Sequence, residues 1–197
     1  AGIAAYAIRD YKHTATSVKH CTNSAKVTFI YDNLSSTSFA VSRTGITGIV
    51  ANGGCPIANC TNTGEIHAKM FCADRSAAFT GVNIILHAAG IHGNDYYVKV
   101  NADTPSAIDQ DETTVTDCNN SGNIYVDSDL IQSYSAVGGI SGWPAAENAK
   151  TVVSKIKNCN NSGEITIDGL IKIRAGGIAG GTSFIEDCKN TGNIIVN

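Results

Sequence analysis

The residues of this 197-residue chain with the clearest capacity for chemistry are its seven cysteines. Five of them occupy the same position of a repeated phrase: Cys21, Cys60, Cys118, Cys159 and Cys188. A metal site would need paired ligands such as C-x-x-C, and that spacing does not occur. If the phrase marks equivalent positions of stacked strands, the parallel Cβ vectors disfavour disulfides even where the Cα atoms are close enough. We therefore expect a column of buried, reduced thiols.

The other two cysteines, Cys55 and Cys72, fall outside this column. A disulfide between them and a pair of buried thiols both fit the sequence. Disulfides indicate an oxidising compartment, whereas unpaired thiols indicate reducing or anaerobic surroundings. Cysteine usage by itself therefore leaves the compartment open.

The histidines are a second set of candidate metal ligands: His13, His20, His67, His87 and His92. His20 and His67 adjoin the inward positions Cys21 and Ile66, so we expect both to face solvent. His87 and His92 flank a Gly-Ile phrase and could form a metal pair. We favour the alternative, in which they are scattered surface histidines, and we expect neither a metal nor a cofactor.

An acidic run, AIDQDETT, spans residues 107–114 in the longest segment between the repeated phrases. Asp109, Asp111 and Glu112 could supply oxygen ligands to calcium. Such a run is usually a solvated loop, and we favour that interpretation.

Three aromatic residues are candidate contacts for a ligand or partner: Tyr96, Tyr97 and Trp143. Exposed aromatic rings stack on sugars or anchor protein partners. They can equally cover the frame of the fold, and we favour that interpretation.

The phrase that carries the cysteines recurs in the chain as NCTNTGEI, DCNNSGNI, NCNNSGEI and DCKNTGNI, with a weaker first copy, HCTNSAKV. Two residues after each cysteine is an asparagine: Asn23, Asn62, Asn120, Asn161 and Asn190. A hydroxyl residue follows, and then a glycine in four copies: Gly64, Gly122, Gly163 and Gly192, with Ala25 in the first. We expect a turn in which glycine has a positive φ angle and the stacked asparagines form a hydrogen-bonded ladder.

A second phrase alternates with the first and contains a constant Gly-Ile pair. Its copies are AGIAA from Ala1, TGITG from Thr44, AGIHG from Ala89, GGISG from Gly138 and GGIAG from Gly176. The distance from this isoleucine to the cysteine of the next repeated phrase varies from 10 to 27 residues, whereas the cysteine phrase has a fixed length. Fixed corners with variable excursions are typical of a solenoid, whose insertions bulge outward from a stacked frame.

These patterns predict an all-β fold, a parallel β-helix of about five coils with three short strands per coil and loops of variable length. Ile165 and Ile167 should point inward, with Glu164 and Thr166 outward. The chain would form one domain over residues 1–197, with coils at approximately 1–42, 43–87, 88–136, 137–174 and 175–197.

Composition agrees with a β-rich chain and excludes some partners. Apolar residues make up 43% and charged residues only 16%, with 20 glycines. The net charge of −3 provides no broad basic surface for nucleic acid, and no apolar run reaches the length of a membrane span.

The alternating GGIxG and C-x-N-x-G-x-I phrases resemble GLUG-type repeats of bacterial surface and secreted proteins. These include Bacteroides-like adhesins and repeat regions beside IgA-specific metallopeptidases. The resemblance covers almost the whole chain, and it implies a β-solenoid, an extracellular or cell-surface location and a scaffold or adhesive role. It carries over no catalytic residue, and the HExxH motif of the metallopeptidases is absent. The first coil departs from the pattern in AGIAAYA and NSAKV.

Two functional classes follow. The first is a non-enzymatic structural or adhesive module, with neighbouring repeats, glycans or surface proteins as partners. Its coil ends at Ala1–Ile3 and Ile194–Val196 would belong either to a longer array or to chains that stack end to end as a filament. The alternative is a carbohydrate-binding or carbohydrate-active β-helix, which rests on analogy of fold.

Overall fold

The computed structural model of the protein describes residues 1–7, 17–33, 42–53, 55–72, 84–94, 114–128, 135–143, 155–169, 173–181 and 184–197. All regular structure in this part of the chain is β-strand. The described residues include no helix of the length and apolarity that a membrane crossing requires.

The chain follows the same path in successive coils. The first coil contains β1 (Ala4–Ala7), β2 (Val18–Lys19), β3 (Thr22–Asn23), β4 (Val27–Asn33) and β5 (Ser42–Thr47). The second contains β6 (Val50–Gly53), β7 (Ile57–Ala58), β8 (Thr61–Asn62), β9 (Ile66–Cys72) and β10 (Ile84–Ala89). The third contains β11 (His92–Asn94), β12 (Thr114–Thr116), β13 (Asn119–Asn120), β14 (Ile124–Ser128) and β15 (Ser135–Gly138).

The fourth coil contains β16 (Ser141–Trp143), β17 (Lys155–Lys157), β18 (Asn160–Asn161), β19 (Ile165–Asp168) and β20 (Ile173–Gly176). The fifth begins with a single bridge between Ala179 and Ser141. It continues through β21 (Phe184–Glu186), β22 (Lys189–Asn190) and β23 (Ile194–Val196).

Each strand pairs with the equivalent strand of the neighbouring coil, and every such pairing is parallel. The five sheets have the orders β1-β6-β11-β16, β2-β7-β12-β17-β21, β3-β8-β13-β18-β22, β4-β9-β14-β19-β23 and β5-β10-β15-β20. Equivalent residues of the repeat lie side by side, as Ile66, Ile124 and Ile165 do. The predicted all-β parallel β-helix of about five coils is confirmed.

Two details of the prediction are wrong. A complete coil contains five strands and not three, because the Gly-Ile phrase is a corner between two strands and the residues after each cysteine form a strand of their own. In the second coil the corner is Gly48-Ile49, and the Gly48 amide donates to Gly90 O at 3.0 Å. The predicted phrase from Thr44 lies inside β5, where Ile46 pairs with Ala88.

The interior of the coil contains two apolar clusters. One lies between the β4 and β5 sheets and includes Ile66, Ile124 and Leu86. The other lies between the β1 and β2 sheets and includes Ile57, Val115 and the column cysteines. Ile165 and Ile167 are buried while Glu164 and Thr166 are partly exposed, so the predicted alternation along β19 is confirmed.

The conformation predicted for the corner glycines is wrong. None of Gly64, Gly122, Gly163 and Gly192 has a positive φ angle. That conformation belongs to the residue before each cysteine, with φ between 50° and 55°: His20, Asn59, Asp117, Asn158 and Asp187. Asn and Asp tolerate this region because their short side chains bond to nearby backbone. Glycine is needed for another reason: a Cβ atom on Gly163 would collide with the carbonyl oxygen of Gly122 in the preceding coil.

Candidate functional site

The corner that follows each cysteine contains a continuous ladder of asparagine side chains. The Nδ2 of each asparagine donates to the Oδ1 of the asparagine in the next coil, over four bonds of 2.7–2.8 Å from Asn23 to Asn190. Each Nδ2 also donates to a carbonyl two residues ahead in its own coil, at 2.9 Å. Both N–H groups of the inner asparagines are therefore satisfied, which buried amides require.

The five column cysteines are free thiols on the inner side of the same corner. Each Sγ donates to the carbonyl two residues earlier in its own coil, at 3.1–3.3 Å. The amide of Cys60 donates to Cys118 Sγ at 3.5 Å, and the amide of Cys159 donates to Cys188 Sγ at 3.4 Å. The bond from Sγ to the carbonyl two residues earlier repeats in all five coils, so the cysteine side chains point in one direction. No disulfide joins them.

Hydrogen bonding along the column separates the acidities of its thiols. Interaction with the Cys118 side chain is the main cause that lowers the pKa of Cys60 to about 6, and it is also the main cause that lowers the pKa of Cys159. Hydrogen bonds to Cys159 and Cys60, followed by burial, raise the pKa of Cys118. Burial is the main cause that raises the pKa values of Cys21 and Cys188.

The acidic thiols are not the ones that solvent reaches. Cys60 and Cys159 are buried, whereas Cys21 and Cys188 are half-buried at the two ends of the column. A reagent in solution therefore reaches only thiols whose pKa values are raised, and these are ionised less readily than a free cysteine. In this arrangement the column cysteines pack and hydrogen-bond, and their ionisation affects stability more directly than reactivity.

The prediction that His87 and His92 are surface histidines is wrong. His92 is 0% exposed, with Nδ1 at 3.2 Å from Ser141 Oγ and Nε2 at 3.2 Å from Gly53 O. A carbonyl only accepts, so Nε2 carries a proton and donates it to Gly53 O, while Nδ1 and the serine hydroxyl share the second hydrogen bond. His87 is also buried, and its ring stacks on Trp143. His20 is exposed and His67 is half-buried on the outer face.

Trp143 covers the frame of the solenoid. It is 8% exposed, and its ring stacks on His87 at a centroid distance of 5.8 Å. The Arg174 guanidinium carbon lies 4.7 Å from the indole centroid, in range for a cation–π contact. His87, Ala136 and Arg174 pair in successive coils, so Trp143 contacts residues that are two coils apart. This position fits the packing interpretation and not that of an exposed ligand contact.

The outer face has a second aromatic contact. The rings of His67 and Tyr125, on adjacent strands β9 and β14, lie 5.2 Å apart with a tilt of 54°. Asn123 Nδ2 donates to Tyr125 Oη at 3.1 Å. Thr166 Oγ1 donates to Glu164 Oε1 at 3.2 Å, while Lys157 pairs with Glu186 at 3.0 Å. His67, Asn123, Tyr125, Glu164 and Thr166 therefore form a partly exposed group of aromatic and polar side chains on the outer face, and the pairing of His67 with Tyr125 was not predicted from the sequence.

Several candidate residues lie outside the described part of the chain: His13, Tyr96, Tyr97, Asp109, Asp111, Glu112 and the side chain of Cys72. The calcium and disulfide hypotheses for them stay predictions, and Cys55 itself is buried. Among the residues that are described, no group of three or more His, Cys, Asp and Glu side chains could hold a metal ion.

The two ends of the solenoid differ. In the last coil five large apolar residues are 38–65% exposed: Phe184, Ile185, Ile194, Ile195 and Val196. Ile185 and Ile194 belong to columns that are buried in the inner coils, where Ile156 and Ile165 occupy them. At the other end the aromatic residues Phe29 and Tyr31 occupy the columns of Ala68 and Met70 and are partly buried against the core.

Comparison with protein-family models, with curated proteins and with solved structures finds no match for this chain.

Proposed function

We propose that the chain is a non-enzymatic structural or adhesive module of an extracellular or cell-surface protein. The observation that carries the proposal is the asparagine ladder, which runs without interruption through all five coils. Such a ladder adds side-chain bonds between coils to the backbone bonds of the sheets. A rod built in this way resists bending and separation of coils, and it can present loops of variable length at fixed spacing.

The location rests on the sequence resemblance to GLUG-type repeats. Reduced thiols in the column are compatible with a surface setting because the inner cysteines are shielded from solvent. We propose that partners are bound by the loops and the outer face, since the inner columns are occupied by packing.

Adhesion is tested directly with the purified chain immobilised on beads. We expect beads to be retained on at least one member of a panel of host cells, extracellular-matrix proteins and glycans, with no chemical change in the bound molecule. The Asn120→Ala variant breaks the asparagine ladder. If this variant still binds when folded, the ladder contributes to the rod and not to the binding surface. Release of a cleaved product would overturn the non-enzymatic proposal.

A carbohydrate-binding role is the second candidate, and one observation favours it. The His67 and Tyr125 rings lie side by side on the outer face, next to Asn123 and Glu164. Aromatic rings flanked by amide and carboxylate groups suit the apolar face and hydroxyl groups of a sugar. If this surface binds glycans, Tyr125→Ala weakens binding at least tenfold, while Thr166→Ala on the adjacent strand has a smaller effect. Equal binding by Tyr125→Ala and the parent would exclude this surface.

A further inference from the structure

The thiols of the cysteine column repeat at the distance between coils. Because the five side chains point in one direction, neighbouring sulfur atoms lie roughly as far apart as paired strands do, about 4.8 Å. Neighbouring thiols interact directly, and this interaction is the largest cause of the pKa shifts of Cys60, Cys118 and Cys159. A disulfide bond is only about 2 Å long, so sulfur atoms held at the coil spacing remain free thiols.

This spacing fits a metal ion that is bound by two sulfur atoms in a line. A zinc–thiolate bond is about 2.3 Å long, and two bonds of about that length in a line span about 4.6 Å. An ion on the line between two neighbouring sulfur atoms takes the place of the thiol protons and needs no separate cavity. Among the described residues no group of three or more Cys, His, Asp and Glu side chains converges on one point, whereas structural zinc takes four ligands. Cu(I) is the ion that fits, because it is soft, prefers thiolates and is stable with two of them.

Backbone contacts group four of the five thiols into two pairs. The amide of Cys60 donates to Cys118 Sγ at 3.5 Å, and the amide of Cys159 donates to Cys188 Sγ at 3.4 Å. A hydrogen bond to sulfur favours the thiolate, which is the form that binds a metal. Each pair therefore has one sulfur atom that is already bonded to an N–H group of its partner, and Cys21 belongs to neither pair.

We propose that the cysteine column binds two Cu(I) ions, one between Cys60 and Cys118 and one between Cys159 and Cys188. At each site two S–H bonds break, two copper–sulfur bonds form and two protons leave to solvent, and neither copper nor sulfur changes its oxidation state. Each ion joins two neighbouring coils, in addition to the asparagine ladder. Because Cys60, Cys118 and Cys159 are 0% exposed, copper enters as the coils form and is then shielded from oxygen. This inference goes beyond the proposed function and does not depend on it.

The test is to refold the chain from urea without oxygen, with ascorbate as reductant and Cu(I) supplied on a chelating dye. Native mass spectrometry then counts the ions on the folded chain. Cys60→Ala and Cys159→Ala should each carry one ion fewer than the parent, since each substitution removes a ligand of a different site. Cys21→Ala is the matched control, because it also removes one thiol of the column but none of the ligands, and it should carry as many ions as the parent.

X-ray absorption at the copper edge gives a readout on the parent alone, which holds even if a variant fails to fold. We expect two sulfur neighbours in a line around each Cu(I) ion and no nitrogen or oxygen neighbour. The proposal is overturned if the folded parent takes no Cu(I) from the dye, or if the absorption spectrum shows three or more ligands. It is also overturned if Cys60→Ala and Cys159→Ala fold and carry as many ions as the parent, or if Cys21→Ala loses an ion as they do.

Discussion

The corner asparagines stabilise the solenoid because each inner side chain bonds to three partners at once. Asn120 accepts from Asn62, donates to Asn161 and donates to the Gly122 carbonyl of its own coil. It is 1% exposed, so water does not replace a bond that is lost. The residue before each cysteine has the complementary role, since its positive φ angle directs the chain into this corner.

The ladder predicts a position-dependent cost of removing an asparagine. Asn120→Ala leaves the Asn62 N–H group and the Asn161 carbonyl oxygen buried without partners, and we expect a loss of about 3 kcal/mol in the free energy of unfolding. Asn190→Ala, at the exposed end of the ladder, should cost less than about 1 kcal/mol because water satisfies the group that is left. Urea unfolding of both variants measures the difference. Equal losses at the two positions would contradict this account.

The cysteine column predicts a stability maximum at mildly alkaline pH. The pKa of Cys60 is lowered to about 6, so its contribution is present above the unfolded value of about 8.5 and is lost as the pH falls towards 6. The pKa of Cys118 is raised by its hydrogen bonds to Cys159 and Cys60. Its contribution is present below about pH 8.5 and is lost as the pH rises further.

Unfolding free energies measured from pH 6 to pH 10 under reducing conditions check this prediction. We expect Cys118→Ala to flatten both the acidic and the alkaline side of the pH profile. The substitution removes the thiol whose pKa is raised and also the side chain that lowers the pKa of Cys60. It should also cost about 1–3 kcal/mol at the maximum through the cavity and the lost acceptor for the Cys60 amide. An unchanged pH profile would show that the column does not titrate as a unit.

At the scale of elements, short strands and tight corners set the spacing between coils. The strands after each cysteine are only two residues long, as in β13 and β18. They stay in register because the amides of Asn119 and Asn160 donate to the carbonyls of Cys60 and Cys118, at 2.9 and 3.0 Å. Each corner therefore depends on the coil before it, and the glycine column is where the two backbones come closest.

This approach makes even a single methyl group costly. We expect Gly163→Ala to destabilise the fold by about 3 kcal/mol or more, because its Cβ atom would collide with the rigid Gly122 backbone. Gly163→Val should be worse still. Ser162→Ala is the control, since that side chain is exposed and its bond to the Asn120 carbonyl is long at 3.5 Å. A Gly163→Ala variant as stable as the parent would show that the coils can separate at this corner.

At the scale of the whole molecule, the solenoid is a one-dimensional stack whose ends are its weakest coils. The middle coils are covered on both sides, and the fully buried isoleucines such as Ile124 and Ile156 lie in them. The last coil has a neighbour on one side only, and its apolar columns are exposed. The first coil also has the exposed residues Ile3 and Ile30, but its Asn23 is buried, and Phe29 and Tyr31 pack against the core.

This asymmetry predicts an order of opening. In native-state hydrogen exchange, amides of β21–β23 should exchange fastest, those of β3 and β4 more slowly, and those of β13 and β14 at the rate of global unfolding. The ladder predicts this order because each inner coil is bonded to two neighbours. Protection in β23 equal to that in β14 would contradict it.

The sequence by itself determined the class of fold, the number of coils and which residues share a column. Five copies of one phrase must occupy equivalent environments, and a stack of parallel strands is the arrangement in which every copy has the same neighbours. The positions of the asparagine and cysteine columns follow from this equivalence, because a column is defined by alignment of the copies alone. The sequence did not determine what each column does.

Only the tertiary structure decided those roles, because they depend on atoms from two coils. The corner glycine has no special φ angle and is needed for the carbonyl of the preceding coil, which no single copy of the phrase contains. The pairs Gly45-Ile46 and Gly48-Ile49 fit the second phrase equally well until strand pairing places Ile46 beside Ala88. His87, His92 and Trp143 are buried for the same reason: the residues that cover them lie in other strands and coils, far away in the sequence.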